Sequence, residues 1–137
     1  MSKTSSANSM DQYSQPVREL IINYDERFPF VDGFVVRYSY SVHFLEKDNV
    51  AGNHYHERKG ELFIPILGDM EVTLEDIQSK GQETIILKSS EHPIMSVPTG
   101  VAHKVRALEA GAVLLVLATS HAADEDEIDY KITNQTE

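Results

Sequence analysis

Apolar and polar residues alternate singly along much of this chain, most cleanly over residues 34–45. There Val36, Tyr38, Tyr40, Val42 and Phe44 fall on one face, and Val35, Arg37, Ser39, Ser41 and His43 on the other, because successive side chains of a strand point to opposite sides. Shorter runs at residues 17–22, 61–67, 70–74, 84–87, 94–97, 103–108 and 113–118 carry a β signature as well. Turn residues separate them: Gly60; Gly68 and Asp69; Ser79, Lys80 and Gly81; Pro98, Thr99 and Gly100; Glu109, Ala110 and Gly111. A turn every ~8–12 residues is the rhythm of a β-sandwich or barrel. No stretch of helical period is long enough to pack a substantial helix on the core. The pattern predicts an all-β single domain, closed or nearly closed into a barrel over residues 16–120. Residues 1–15, polar and serine-rich, are expected to be loosely attached, and residues 121–137 to form an acidic tail.

Composition narrows the partners. The chain has 137 residues, a size that buries roughly 68% of its unfolded surface and supports a core without staples. Twenty-two acidic residues against twelve basic give a net charge of −10, which argues against a nucleic-acid binder that tracks phosphates with clustered Lys and Arg. Part of the excess is local, in Asp124, Glu125, Asp126, Glu127 and Asp129. That run reads as a solvated tail, or alternatively as a segment folding over a partner subunit or a pocket mouth. There is no cysteine, so disulfides and thiolate metal sites are excluded. The start of the chain lacks the apolar stretch of a secretory signal, and the longest apolar run, residues 112–118, is too short to cross a bilayer. A cytoplasmic protein without membrane contact is expected.

The candidate chemistry lies in the histidines. His54 and His56 project from the same face of a strand, while Tyr55 points away. Glu57, Arg58, Lys59 and Gly60 read as a polar turn, after which Glu61 opens the returning strand beside the two imidazoles. His103 can join them. Three imidazoles and one carboxylate make a coordination shell for a divalent ion, with open positions left for water or substrate. Fe, Mn, Ni, Co and Zn all accept such mixed donors. A glutamate among buried histidines also needs either a cation or shared protons to offset its desolvation. Gly100 suits a turn position with positive φ, and Pro98 pre-sets that turn, which would aim His103 at His54 and His56. Arg37, Tyr38, Tyr40, His43 and Phe63 are the candidate substrate contacts, Phe63 because it shares a face with Glu61.

These residues resemble a known family. Gly52, Asn53, His54, Tyr55, His56, Glu61 and Gly68 resemble the first motif of the cupins, a glycine, H-x-H, an acidic residue and a later glycine. Pro98, Thr99, Gly100 and His103 resemble the second, P-x-G-x-x-H. The asparagine often found soon after the second-motif histidine is absent here. The resemblance implies an RmlC-like jelly-roll barrel, a double-stranded β-helix, with His54, His56, Glu61 and His103 as metal ligands, and a homodimer paired through sheet edges. Residues 112–120, the acidic tyrosine-containing tail and the segment from Arg37 to Tyr40 are similar to cupins acting on nucleotide sugars. Those are the sugar 3,4-ketoisomerases and the WxcM-like proteins of polysaccharide biosynthesis. In the ketoisomerases the H-x-H histidines are proposed to act as acid and base without metal. Glu61 stands where they typically carry glutamine, Ala51 where they carry arginine and Ala102 where tryptophan is common, departures that favour a metal-binding relative. The expectation is therefore a metal-dependent isomerase or epimerase of a sugar or nucleotide sugar. The alternatives are an Fe(II) dioxygenase of a small organic substrate and a non-catalytic small-molecule-binding cupin.

Overall fold

The computed structural model describes residues 7–9, 12–15, 18–121 and 126–133. In chain order the strands are β1 (Ala7–Ser9), β2 (Gln12–Gln15), β3 (Arg18–Ile21), β4 (Tyr38–His43), β5 (Val50–Tyr55) and β6 (Glu61–Leu67). They continue as β7 (Asp69–Asp76), β8 (Gln82–Lys88), β9 (Pro93–Val97), β10 (Val101–Ala107), β11 (Val113–Ala118) and β12 (Ile128–Asp129). One five-stranded sheet has the order β1-β9-β6-β11-β4, a second the order β12-β5-β10-β7-β8, and β2-β3 form a separate ribbon. Neighbours in both large sheets are antiparallel and mostly non-consecutive, the winding of a jelly roll. The all-β expectation holds. No helix among the described residues is long and apolar enough to cross a membrane.

The core lies between the two sheets. Met70 and Val72 of β7, Leu87 of β8, Met95 of β9, Val105 of β10, and Leu114 and Val116 of β11 meet there with Phe63 of β6, all at most 2% exposed. Strand β6 is buried on its other face too. Leu62 and Ile64 point outward but lie under Tyr24, Phe30, Val31, Phe34 and Val36, which wrap the outside of the first sheet. This explains why β6 is a continuous apolar run rather than an alternating one. Each of those two side chains contributes about 1.5–3 kcal/mol by leaving water.

That wrapping layer shortens the strand expected over residues 34–45. Only Tyr38–His43 is strand. Upstream, the Phe34 amide donates to the Val31 carbonyl at 3.0 Å and the Tyr24 hydroxyl donates to the Phe34 carbonyl at 2.8 Å. These bonds fold Phe34 and Val36 onto the outer apolar face instead of extending the sheet. Parts of both chain ends pair with the sheets. The backbone of residues 7–9 pairs with β9 and that of residues 12–15 with β3. At the other end, β12 pairs with β5, so residues 126–133 lie along the barrel edge.

Candidate functional site

A bulge at the start of the first motif sets the geometry. His103 of β10 stands opposite His54, but the next partner of β10 is Gly52, so Asn53 is an extra residue. Gly52 and Asn53 both have positive φ, 101° and 62°. A Cβ on Gly52 would lie 2.5 Å from the His103 carbonyl oxygen, so only glycine lets β5 approach β10 this closely. At the other end of the site Gly100 has φ 76°, as its turn required, and its amide donates to the His56 carbonyl at 2.8 Å. The two motifs are thereby tied together through the main chain. The rings of His54 and His103 meet edge to face at 4.6 Å, and His54 and His56 lie 5.0 Å apart.

Glu61, at the start of β6, is 1% exposed and organises the surrounding charge. Its Oε1 lies 3.5 Å from His56 Nε2 and 3.6 Å from His103 Nε2. Its Oε2 accepts a hydrogen bond from the Tyr40 hydroxyl at 2.9 Å and lies 3.8 Å from Lys59 Nζ. Lys59 itself is 4% exposed, although a lysine in a polar turn gives no hint of pointing inward. Burial pushes the Glu61 pKa up, but the contact with His56 and the pull of His103, His56 and Lys59 win, holding it at about 2. At 3.5 Å the His56–Glu61 contact is long for a hydrogen bond, and neither facing atom has another hydrogen-bond partner; we read it as an ionic contact.

The three imidazoles therefore differ. For His56, burial disfavours the proton, but Glu61 and the Asp126 carbonyl, which accepts from Nδ1 at 2.8 Å, outweigh it and raise the pKa. For His103, burial dominates and holds the pKa down at about 4. His54 is also lowered, by burial first, against the Glu127 carboxylate 3.7 Å from its Nε2. Glu61 thus favours the proton on His56, while burial disfavours it on His54 and His103.

A cavity of about 280 Å³ opens beside them. Tyr38, Tyr40, His54, Lys59, His103 and Glu127 give it polar walls, and Val42, Phe63, Val105, Leu114 and Val116 apolar ones. Of the expected site residues, His54, His56, Glu61 and His103 are brought together, and Tyr38, Tyr40 and Phe63 line the cavity. Arg37 and His43 are not brought to the cavity: both are exposed on the outward face, where His43 Nε2 pairs with Ser41 Oγ at 2.9 Å. Strand alternation requires this once Tyr38 and Tyr40 point inward. Sequence reasoning missed Lys59, Asp126 and Glu127. The last two carried a readable signal, because Ile128, Tyr130 and Ile132 alternate with Asp129, Lys131 and Thr133 as a strand does.

As a cation site the cluster fits in part. Ligand atoms of His54, His56 and His103 lie within 4.8 Å of one another, and Glu61 stands outside that group. The chain itself offers the carboxylate compensating partners, the Lys59 ammonium, the Tyr40 hydroxyl and the His56 ring, whose pKa Glu61 raises. Lys59 places its ammonium group beside the other Glu61 carboxylate oxygen, 3.8 Å from Oε2.

A jelly roll whose cavity is walled by H-x-H and P-x-G-x-x-H histidines defines a cupin. The family model described as "FdtA: WxcM-like, C-terminal" matches residues 8–135, and the chain belongs to that family. It is similar to the spore coat polysaccharide biosynthesis protein SpsL of Bacillus subtilis, 29% identical over 83 residues that span 57% of this chain and 55% of that protein. The fold is shared with a mutant of the 3,4-ketoisomerase QdtA from Thermoanaerobacterium thermosaccharolyticum in complex with TDP-4-keto-6-deoxyglucose, at TM-score 0.75, 19% identity, and coverage of 90% of this chain and 85% of that one. It is also shared with the 3,5-epimerase RmlC from Legionella pneumophila in complex with dTDP-4-keto-L-rhamnose, at TM-score 0.76, 19% identity, and coverage of 88% and 69%.

Proposed function

We propose that this chain isomerises a 4-keto nucleotide sugar by side-chain acid–base chemistry, moving the carbonyl between adjacent ring carbons. The observation that carries this reading is the split in charge on one cavity wall. His54 is a neutral imidazole facing the cavity, and Lys59 and Tyr40 flank it there. His54 takes the proton from C3, next to the ketone, and returns it to C4. The Lys59 ammonium stabilises the enediolate oxygen that forms between these steps. Tyr40 keeps its proton because burial, the Glu61 charge and the hydrogen bond to Glu61 all raise its pKa. With that proton donated to Glu61, the Tyr40 oxygen can accept a hydrogen bond from the sugar O3 hydroxyl, whose proton passes directly to O4 within the enediolate. One C–H and one O–H bond break, and one of each forms, so the isomerisation balances without a further reactant. Family membership and the nucleotide-sugar ligands of the solved relatives support the substrate class.

The test is proton NMR of the protein incubated with dTDP-4-keto-6-deoxy-D-glucose in D2O. Appearance of the 3-keto isomer is expected, and substrate left unchanged and unexchanged at both carbons would contradict the reading. His54→Gln is expected to lower kcat by about 10²–10⁴ while leaving the β circular dichroism intact.

A second reading, a divalent ion held by His54, His56 and His103, is favoured by their 4.8 Å cluster. Such an ion would supply Lewis-acid polarisation of the ketone. Pairing of two copies also belongs to this proposal, since β4 and β8 are sheet edges and Leu45, Ile66 and Leu67 are exposed at 81%, 48% and 60%. Light scattering is expected to give twice the 15.4 kDa chain mass.

A further inference from the structure

Asp126 lies far from the motifs in sequence, yet it touches both catalytic neighbourhoods at once. It is 5% exposed. Its carbonyl accepts from His56 Nδ1 at 2.8 Å. Its carboxylate accepts three successive main-chain amides: Glu57 at 2.9 Å and Arg58 at 3.1 Å on Oδ1, and Lys59 at 3.1 Å on Oδ2. One residue thus fixes the ring orientation of His56 and the backbone from which Lys59 reaches Glu61. The segment carrying it is anchored independently. Ile128 and Asp129 pair with Tyr55 and His54, and the bulge residue Asn53 accepts the Tyr130 amide on its carbonyl at 2.9 Å and the Ile132 amide on its side chain at 3.0 Å. The rings of Tyr55 and Tyr130 pack edge to face at 5.9 Å. The motif's asparagine therefore serves twice, placing His54 by its bulge and holding the strand that delivers Asp126.

We propose that Asp126 is a positioning residue for the isomerisation, acting through His56 and Lys59. This rests on the reaction proposed above. A side chain held by three amides and buried against the turn has little freedom, and the groups it fixes face the reacting atoms or the carboxylate behind them. Small displacements of such groups carry large rate costs, about 10²-fold for 1 Å.

Asp126→Asn separates positioning from folding. The Asn oxygen can still accept from Glu57 and Arg58, but its NH2 group would face the Lys59 amide, donor against donor. The expected result is a kcat loss of about 10- to 100-fold with KM within about threefold, at a temperature where the variant is fully folded. An unchanged kcat with only a lowered Tm would overturn the proposal, because that is what a purely structural role produces. In a Lys59→Met background the same change is expected to cost less than about threefold further, and full additivity would also overturn it. A readout independent of turnover keeps the two proposals apart. If the wild-type protein leaves the sugar untouched, the reaction fails, while backbone amide 15N–1H NMR still reports on Asp126. Slowly exchanging amides at Glu57, Arg58 and Lys59 are expected in the wild type and lost in Asp126→Ala; their persistence in that variant would overturn the positioning role.

Discussion

At the scale of single residues, Glu61 decides the protonation of its neighbours. Its carboxylate raises the pKa of His56 and, after burial, that of Tyr40, while contact with His56 and the pull of His103 and Lys59 hold the carboxylate ionised. Removing Lys59 leaves a buried charge without its main-chain-anchored partner. Lys59→Met is therefore expected to cost about 3 kcal/mol in urea unfolding, and a cost under about 1 kcal/mol would show that Lys59 and Glu61 are not coupled. Acid should act in two stages. His103 has its pKa lowered from 6.5 to about 4, so the unfolded chain binds its proton first and stability falls as pH drops from about 6.5 to 4. Glu61, lowered from 4.5 to about 2, adds a further loss as pH drops from about 4.5 to 2. In His103→Gln the slope of stability against pH between 6.5 and 4 is expected to flatten, measured by urea midpoints at stepped pH. The ligand-type residues were legible from spacing, since H-x-H on a strand must share a face. Lys59 was not, because a polar turn does not disclose which of its side chains turns inward.

At the scale of elements, the bulge in β5 is where sequence dictates geometry most tightly. Gly52 combines a φ of 101° with a Cβ position 2.5 Å from the His103 carbonyl. Gly52→Ala is expected to destabilise the fold by about 1–3 kcal/mol from backbone strain alone, and to separate the His54 and His103 rings. A urea midpoint equal to the wild type would contradict the close approach. Strand β11 was read from its sequence with the same limits it has in the structure, because Val113–Ala118 is a single apolar run between clear turns. The strand over residues 34–45 was overextended because the alternation of Phe34 and Val36 serves a second apolar surface, Leu62, Ile64 and Leu117, that no local pattern reveals. The acidic run hid a strand for the opposite reason: its charge drew attention from the alternation of Ile128, Tyr130 and Ile132.

At the scale of the whole molecule, the jelly roll fixes what the site can be. Two sheets bring β4, β5, β6 and β10 to one cavity, whose walls carry the His54 imidazole, the Lys59 side chain and the Tyr40 hydroxyl together. The barrel and its histidines were legible because turn residues and motif spacing agree over most of the chain. The charge compensation was not legible: beside a cluster of metal-ligand type, the chain places its own cation, Lys59, 3.8 Å from the Glu61 carboxylate. The most direct test is the rate of 4-keto sugar isomerisation by protein stripped of metal and held in excess EDTA. The side-chain mechanism predicts a rate equal to that of untreated protein. Loss of activity on chelation, restored in proportion to an added divalent ion, would contradict it.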